Sequence, residues 1–540
     1  MAGQDDASSL IAQHATDGEI APPPPAPAGA GRSAALVTAG IILSRLFGLV
    51  RQRFVAHYFG LSLYADVITA AFRVGNITQN LLGEGTLSAS FIPVYAKLRA
   101  AGRAREATAF ALSALGLLGL AAGAASLLGV LFAPWLTRAI TPGSEAEGLA
   151  ATIDLVRVVF PMTGILVLSA WALGVLNAHR RFFLPYAAPV LWSVAQIVGL
   201  AVFGSMLGMR DEALAMALAL SALVGAALQL VVLLPAARAL LGGIRPRFDR
   251  ADPNVREATR RLPGVLLGRG VIQISGLIDT ALVSFLGMGA QASFNYAQTI
   301  YLLPMSLLAT GEAAASLPEM ASVTAEVDRD KRNAALRARV GASMARVVTL
   351  ALPTTLALVF LGHDIIRVLL QGGSFDPAAS ARVERLLAAY ALALLGNAAG
   401  RVLGTTSYAL GDTRTPARYA LYRVIASAVA ALVLMQWLDA LGVVLGSVIA
   451  AWVEAIALGN KLRRELGGLD LAKVPFARSA ALGVAALAPA LLIRAALPVD
   501  FAATMWGSLV VLGTFGAAFV VAAPALGVFD LRSLLRRGRR

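Results

Sequence analysis

Stretches of about 20 apolar residues, the length that spans a bilayer as a helix, recur from Ala34 to Phe519 of this chain. Short charged or Gly/Pro-containing segments separate them. Because a helix satisfies its own backbone hydrogen bonds, it can lie in lipid without exposing polar groups. Only 14% of the residues are charged, compared with about 25% in soluble domains. The sequence therefore predicts an all-α polytopic membrane protein.

The number of spans follows from the apolar stretches. We count about fourteen segments of membrane-spanning length. Their approximate centres are Ile42, Ala71, Leu120, Leu166, Val194, Val224, Ser275, Leu307, Ala351, Leu394, Ser427, Ala450, Ala486 and Val511.

The basic residues show a strong bias between the two sides of these spans. Alternate connections and the C-terminal tail hold 30 lysines and arginines, whereas the opposite connections hold about six. Because basic loops stay in the cytoplasm, this pattern places both termini there. It also accounts for the net charge of +15 without a nucleic-acid partner.

The spans divide into two six-helix lobes followed by a pair of helices. The N-terminal segment, residues 1–32, is proline-rich and lacks the charged start and apolar core of a signal peptide. We expect residues 1–32 to be a disordered cytoplasmic tail, 33–241 the first lobe, 242–262 a basic, amphipathic cytoplasmic linker, 263–465 the second lobe, and 466–540 two lipid-facing helices and a basic tail.

The first span contains "LSRLFGLVRQRF", which carries Arg45, Arg51 and Arg53. An ionised side chain at mid-membrane costs roughly 2.5 to 3.5 kcal/mol on insertion scales. Arginines at this depth should therefore face protein or water, which predicts a cavity inside the helix bundle. Gly48, between Arg45 and Arg51, is expected to admit a bend that turns both arginines toward it.

The second span has a polar stripe formed by Asp66, Arg73, Asn80 and Glu84, which fall within about 40° of one another at 100° per residue. Arginines outnumber carboxylates in the first two spans. Such an excess suits an anionic ligand, since the guanidinium fork fits phosphate oxygens. The alternative is that each arginine only neutralises Asp66 or Glu84.

Span seven carries a second polar set. Arg269 and Gln273 lie on one face with Gly276 and Thr280, and Asp279 lies beside them. Asp279 is the best candidate for a cation ligand, with Asn397 of span ten as a partner. Because Arg401 lies one turn from Asn397, we expect an Asp279 to Arg401 ion pair instead.

Several kinds of chemistry are excluded by absent residues. The chain has no cysteine and four scattered histidines, so we expect neither a metal site nor a redox cofactor. None of its lysines follows a glycine, so a phosphate-binding P-loop is missing and ATP is not the direct fuel. The outer connections are short and hold few carboxylates, so we do not expect an enzyme.

An ordered series of motifs resembles the MurJ/MviN family, the lipid II flippases of peptidoglycan synthesis. The series runs over nearly the whole chain after Arg32. It consists of "SRLFGLVRQRFVAHYFG", "ADVITAAFRVGNITQNLLGEGTLSASFIPVYAK", "WLTRAITPG", "LNAHRRFFLPYAAPVLWS", "VLLQGGSF" and "GDTRTP".

The resemblance implies the fold of the multidrug/oligosaccharidyl-lipid/polysaccharide exporter superfamily, with two six-helix lobes around a cationic cavity and a lipid-tail groove at the last two helices. Arg45, Arg51 and Asp66 match the family's functional charges, Arg73 stands where a lysine or arginine is usual, and Glu84 lies in its Glu-Gly motif. We expect substrate contacts from Arg45, Arg51, Arg73, Arg269 and Asn76, with Asp66 and Glu84 organising the arginines.

Two departures from the family pattern remove cavity cations. The chain has Gly75-Asn76 followed by Gln79-Asn80 where many members have Pro-Asn and a paired arginine. Gln298 and Thr299 stand where a charged pair is usual. Arg269 is expected to restore one cation from the opposite wall.

The implied function is transport of lipid II, an undecaprenyl-pyrophosphate glycopeptide, across a bacterial inner membrane by alternating access. The resemblance also implies coupling to the membrane potential or a monovalent cation, and contact with membrane lipids and cell-wall synthesis proteins. The alternatives are export of another polyprenyl-linked glycan and a non-transporting scaffold for cell-wall enzymes. Export of cationic drugs is disfavoured because a cationic cavity repels cations.

Overall fold

A computed structural model of the chain describes residues 30–181, 183–324, 328–412 and 414–527. Within these ranges the regular elements are helices. They are α1 (Ala30–Phe59), α2 (Leu63–Leu82), α3 (Glu84–Ala100), α4 (Ala104–Leu131), α5 (Ala133–Ile140), α6 (Ala146–Ala178), α7 (Phe183–Ala187), α8 (Pro189–Gly199, continued by a π-helical stretch, Leu200–Met206), α9 (Asp211–Leu241), α10 (Pro253–Val283), α11 (Ala290–Thr324), α12 (Arg329–Phe360), α13 (Gly362–Leu369), α14 (Pro377–Ala409), α15 (Arg414–Leu466), α16 (Phe476–Ala496), α17 (Val499–Ala502) and α18 (Met505–Ala525), with a 3-10 turn at Leu471–Lys473.

The all-helical membrane fold is confirmed, because nine helical segments within the described ranges are long and apolar enough to cross a bilayer. Four further long helices, α1, α2, α10 and α11, fall outside that set. The sequence places charged residues inside α1, α2 and α10, which lowers their hydropathy. The total of fourteen spans therefore stays a prediction.

One apolar segment contains two helices. α15 runs from Arg414 to Leu466 but turns at Asp439, whose φ of 49° and ψ of −135° are not helical. The predicted centres of spans eleven and twelve, Ser427 and Ala450, lie on either side of this turn. α15 is thus a helical hairpin, and we call its two arms the first and second arms.

Each half of the molecule packs around one central helix. In the first half α6 packs against α2, α4 and α9, and 78% of its most apolar stretch is buried. In the second half α14 packs against α11, α12 and α15, with 67% buried. α16 and α18 pack on each other, and α16 also contacts α12. α18 is only 17% buried over the same length, so this pair lies at the periphery of the second half.

The connection between the halves is partly extended and partly helical. Its backbone is tied to α4, because the Arg247 amide donates to the Leu112 carbonyl at 3.1 Å. α10 begins at Pro253, inside the segment 242–262 assigned to the linker, and the Asp252 side chain caps it. Most of the predicted N-terminal tail lies outside the described residues, and α1 begins at Ala30.

Candidate functional site

Arg45 on α1 reaches across to the second half of the molecule. Its guanidinium donates to the hydroxyl of Ser306 on α11, and the side chain is partly buried. A cation inside the bundle is therefore held by a neutral oxygen. Arg45 is thus directed toward the second half, and its contact with a substrate stays a prediction.

Arg51 has a different neighbour. Its guanidinium carbon lies 4.6 Å from the ring centroid of Trp192 on α8, within the range of a cation–π interaction. The Phe72 ring packs edge-on against the same indole at 6.4 Å. α1 is helical from Ala30 to Phe59, and six residues of straight helix separate two side chains by about 120°. Arg45 and Arg51 consequently face different helices.

Two polar pairs join α2 to the second half. Arg73 Nη2 donates to Gln298 Oε1 on α11 at 2.9 Å, and Asn80 Nδ2 donates to Gln273 Oε1 on α10 at 3.0 Å. Gln298 is one of the residues that departs from the family pattern, and here it accepts a hydrogen bond that a cation could not accept. Arg73 thereby has a neutral hydrogen-bond partner, which does not cancel its positive charge.

We call the side chains in these contacts the polar tract, in which three pairs cross between the halves and the Arg51–Trp192 pair lies within the first half. It consists of Arg45, Arg51, Arg73, Asn80, Trp192, Gln273, Gln298 and Ser306.

The other α2 and α11 residues singled out in the sequence are Gly75, Asn76, Gln79 and Thr299. Asn76 and Gln79 on α2 and Thr299 on α11 are partly exposed. Gly75, which replaces the usual proline, lies against α6: a Cβ there would be 2.2 Å from Cγ1 of Val159. This position thus requires glycine for close helix packing.

Asp66 caps a helix of the other half. Its two carboxylate oxygens accept hydrogen bonds from the backbone amides of Gly289 and Ala292, each at 2.7 Å. These amides lie at the start of α11, where unpaired N–H groups and the helix dipole favour an anion. Asp66 therefore fastens α2 to α11, and its role in organising the arginines stays a prediction.

Neighbouring backbone groups complete this contact. The Ser374 amide donates to the His57 carbonyl at 2.8 Å, and the Tyr296 hydroxyl donates to the Gly60 carbonyl at 3.3 Å. Gly60 has φ of 54°, and a Cβ there would lie 2.2 Å from the Ser374 oxygen. We call this region the lobe seam: His57, Gly60, Asp66, Gly289, Ala292, Tyr296 and Ser374.

The predicted ion pair between Asp279 and Arg401 differs from the arrangement in the structure. Asp279 on α10 is 8% exposed, and the arginines that act on it electrostatically are Arg73 and Arg423. Among the described residues no ion pair of 4.0 Å or less joins it to Arg401. The predicted pair is thus not formed in this conformation.

The partners of the other two residues explain the difference. Asn397 Nδ2 donates to the Tyr301 hydroxyl at 2.8 Å, so it is directed toward α11. Arg401 interacts electrostatically with Tyr301 and with Glu454. Glu454 also pairs with Arg423 at 2.9 Å across the α15 hairpin. The second arm of α15 thus supplies a carboxylate for both arginines.

Sequence reasoning missed Trp192, Ser306 and Arg423. Trp192 and Ser306 lie in apolar stretches where neither stands out by charge. Arg423 was detectable, because it is a charge inside the predicted span eleven. The side chains of Glu84 and Arg269 lie outside the described residues, so these two predictions remain as they were.

The comparisons with known sequences agree along most of the chain. The family model described as "Lipid II flippase MurJ" matches residues 55–512. The chain is 29% identical over 440 residues to the lipid II flippase MurJ of Burkholderia cenocepacia, which covers 80% of this chain and 84% of that protein. It is 32% identical over 425 residues to the probable lipid II flippase MurJ of Rhizobium tropici, covering 78% of each.

Solved structures share the fold. A structure described as lipid II flippase MurJ in an inward closed conformation superposes with a TM-score of 0.74 at 19% identity, over 93% of this chain and 100% of that one. An inward-facing MATE transporter of the MOP superfamily follows with 0.65 at 17%, over 82% and 99%. Given the match of the family model over residues 55–512, the chain belongs to the lipid II flippase MurJ family.

Proposed function

We propose that this protein carries lipid II from the cytoplasmic to the periplasmic leaflet of a bacterial inner membrane. Its family and the polar tract support this. Arg45, Arg51 and Arg73 contact a hydroxyl, an indole and an amide, and among the described residues none of the three has a carboxylate within ion-pair distance. Asp279 interacts electrostatically with Arg73 alone among the three, so an excess of positive charge remains. This excess is the observation that carries the proposal, because it favours an anionic ligand.

The ligand chemistry that fits is a pyrophosphate. Arginine presents paired N–H donors that match two phosphate oxygens. A neutral hydroxyl or amide oxygen binds a guanidinium less strongly than a carboxylate does. A phosphate can therefore replace it at a smaller free-energy cost. Binding and release need no covalent step, so the protein is proposed to be a transporter and not an enzyme.

The transport cycle is proposed to be alternating access. The lobe seam closes the space between the halves at the end where α1 meets α2 and α10 meets α11. The loops there belong to the set poor in lysine and arginine, so we assign the seam to the periplasmic side and both termini to the cytoplasm. Opening the seam and closing the opposite end would deliver the head group outward.

Coupling to an energy source is part of the same proposal. Asp279 is a buried carboxylate on α10, and a monovalent cation or the membrane potential would act on it most directly. We expect Asp279→Asn to remove the dependence of transport on that source. Flipping rates measured in vesicles with and without an imposed potential, and with sodium or potassium, would test this, and unchanged dependence in Asp279→Asn would contradict it.

Complementation of a conditional flippase-depletion strain tests the proposed function. The wild-type chain should restore growth and expose lipid II on the periplasmic leaflet of spheroplasts. Arg73→Gln should abolish both, whereas Arg105→Gln, at an exposed arginine that is not part of the tract, should not. A well-expressed wild-type chain that restores neither would overturn the lipid II assignment, and growth with Arg73→Gln would overturn the role of the tract.

A further inference from the structure

A groove of about 540 Å³ opens on the second half of the protein, a size within the usual range of ligand pockets. Its walls come from α12, α14, the second arm of α15, and the start of α16. None of these helices contributes to the polar tract. Most of the wall is apolar, including Val348, Leu395, Leu403, Trp452, Ile456 and Phe476.

One end of the groove is polar. Asn460, Arg463 and Gly468 line it, and Arg463 is exposed. Arg337 on α12 lies beside this end, because its guanidinium donates to the Gly467 carbonyl at 3.3 Å. Two arginines from different helices are thereby brought to the same end.

In the part of the chain that the structure describes, Arg463 itself is not paired with a carboxylate. Glu465, the nearest carboxylate in sequence, pairs with Lys461 at 3.1 Å. Among the described residues Arg463 has no carboxylate within ion-pair distance. The groove is complementary to an anionic lipid. Its exposed cation matches the charged head group, and its apolar wall matches the long acyl chain.

We propose that this groove binds one anionic glycerophospholipid of the bilayer, with an acyl chain along the apolar wall and the phosphate at Arg463. The basic connections place Arg463 at the cytoplasmic surface, where anionic head groups attract juxtamembrane arginines. The bound lipid would contact α12, α15 and the start of α16 together. It would thereby fasten the peripheral helix pair to the second half.

Gly459 keeps the groove open. A Cβ at this position would meet only the Leu403 side chain, at 3.7 Å. A methyl group is thus tolerated, and a larger side chain would project into the space. Gly513 on α18 offers a matched control, because a Cβ there meets nothing within 4 Å.

Native mass spectrometry of the purified full-length protein tests the site, with phosphatidylglycerol and phosphatidylcholine as probes. The wild type should retain one phosphatidylglycerol in preference to phosphatidylcholine. Arg463→Gln should weaken phosphatidylglycerol binding about tenfold, the effect expected for one charge-assisted hydrogen bond. Gly459→Leu should abolish that binding, while Arg105→Gln and Gly513→Leu leave it unchanged.

Three results would overturn the proposal. The first is equal affinity for the two phospholipids, which would remove the role of Arg463. The second is unchanged phosphatidylglycerol binding in both Arg463→Gln and a monodisperse Gly459→Leu. The third is displacement of phosphatidylglycerol by lipid II, which would assign the groove to the polyprenyl tail. If Gly459→Leu fails to fold, Arg463→Gln decides the matter alone, and none of these results bears on the flippase assignment.

Discussion

The lobe seam and the polar tract both join the two halves, but they use different chemical groups. In the seam, a carboxylate and carbonyl oxygens accept from N–H and hydroxyl donors, most of them on the backbone. In the tract, side chains meet side chains. Backbone contacts depend on the position of whole helices, whereas side chains can change partners while the helices stay in place. The seam is thus suited to define a conformation and the tract to receive a ligand.

Locking the seam should have the largest effect. Cysteines introduced by His57→Cys and Ser374→Cys and joined by a short bifunctional thiol reagent should abolish flipping, because the halves could no longer separate there. The natural chain has no cysteine, so labelling is specific. Joining Arg103→Cys to Glu106→Cys, exposed neighbours at the start of α4 within the first half, should leave transport unchanged. Full activity of the locked seam would exclude alternating access at this position.

Overfilling the seam should be the next strongest change. Gly60→Ala puts a Cβ against the Ser374 carbonyl oxygen and strains a positive φ. We therefore expect the free energy of unfolding to fall by about 2 to 3 kcal/mol. Gly102→Ala is the control, since its φ is 72° but nothing lies within 4 Å of its Cβ. Gly102→Ala should lower the free energy of unfolding by about 1 kcal/mol. Thermal unfolding in detergent measures both, and equal losses would mean that the close approach at Gly60 adds nothing.

The tract should respond to the shape of its cation. Arg51→Lys keeps a charge over Trp192 but loses the planar fork, so flipping should fall about tenfold while membrane abundance stays normal. Trp192→Leu should have a smaller effect, of about threefold, because it removes a cation–π contact of roughly 0.5 to 1 kcal/mol. Initial flipping rates in vesicles give both values. A normal rate in Arg51→Lys would remove the fork from the mechanism.

The two regions should behave independently. Arg51 contacts Trp192 and Asp66 contacts backbone amides, so the losses in Arg51→Ala and Asp66→Ala should add in the double variant. Rescue of transport in the double variant would instead identify a direct ion pair between them.

A contact outside both regions should have the smallest effect. Hydrogen bonds from Lys461 and then Thr415 hold the pKa of the Asp412 carboxyl below its ordinary range. A lowered carboxyl pKa adds stability above the ordinary value of about 3.9, and that stability is lost as the pH falls through the lowered value. Asp412→Asn should therefore lower the Tm at pH 7 without changing flipping.

The difference between the two proteins should shrink as the pH falls below about 4. A difference in Tm that stays constant down to pH 3 would mean that the charge of Asp412 is not involved.

The sequence predicted the helical class, because this depends on composition and on spacing within one helix. It did not predict the neighbours of Asp279 and Arg401. Spacing fixes which side of a helix a residue occupies, but pairing across helices depends on how each helix is rotated and tilted. Arg423 lies far along the chain from Asp279, as Glu454 does from Arg401, and only packing brings the members of each pair near one another.

The neutral partners of Arg45 and Arg73 have a consequence for turnover. When the ligand leaves, Ser306 and Gln298 can accept the freed N–H groups at once, so the guanidinium groups of the empty carrier keep a hydrogen-bond partner. A carboxylate in either place would compete with the ligand on every cycle and slow its capture. The tract can thus reset between cycles with a low barrier, and the return of the unloaded transporter need not limit its speed.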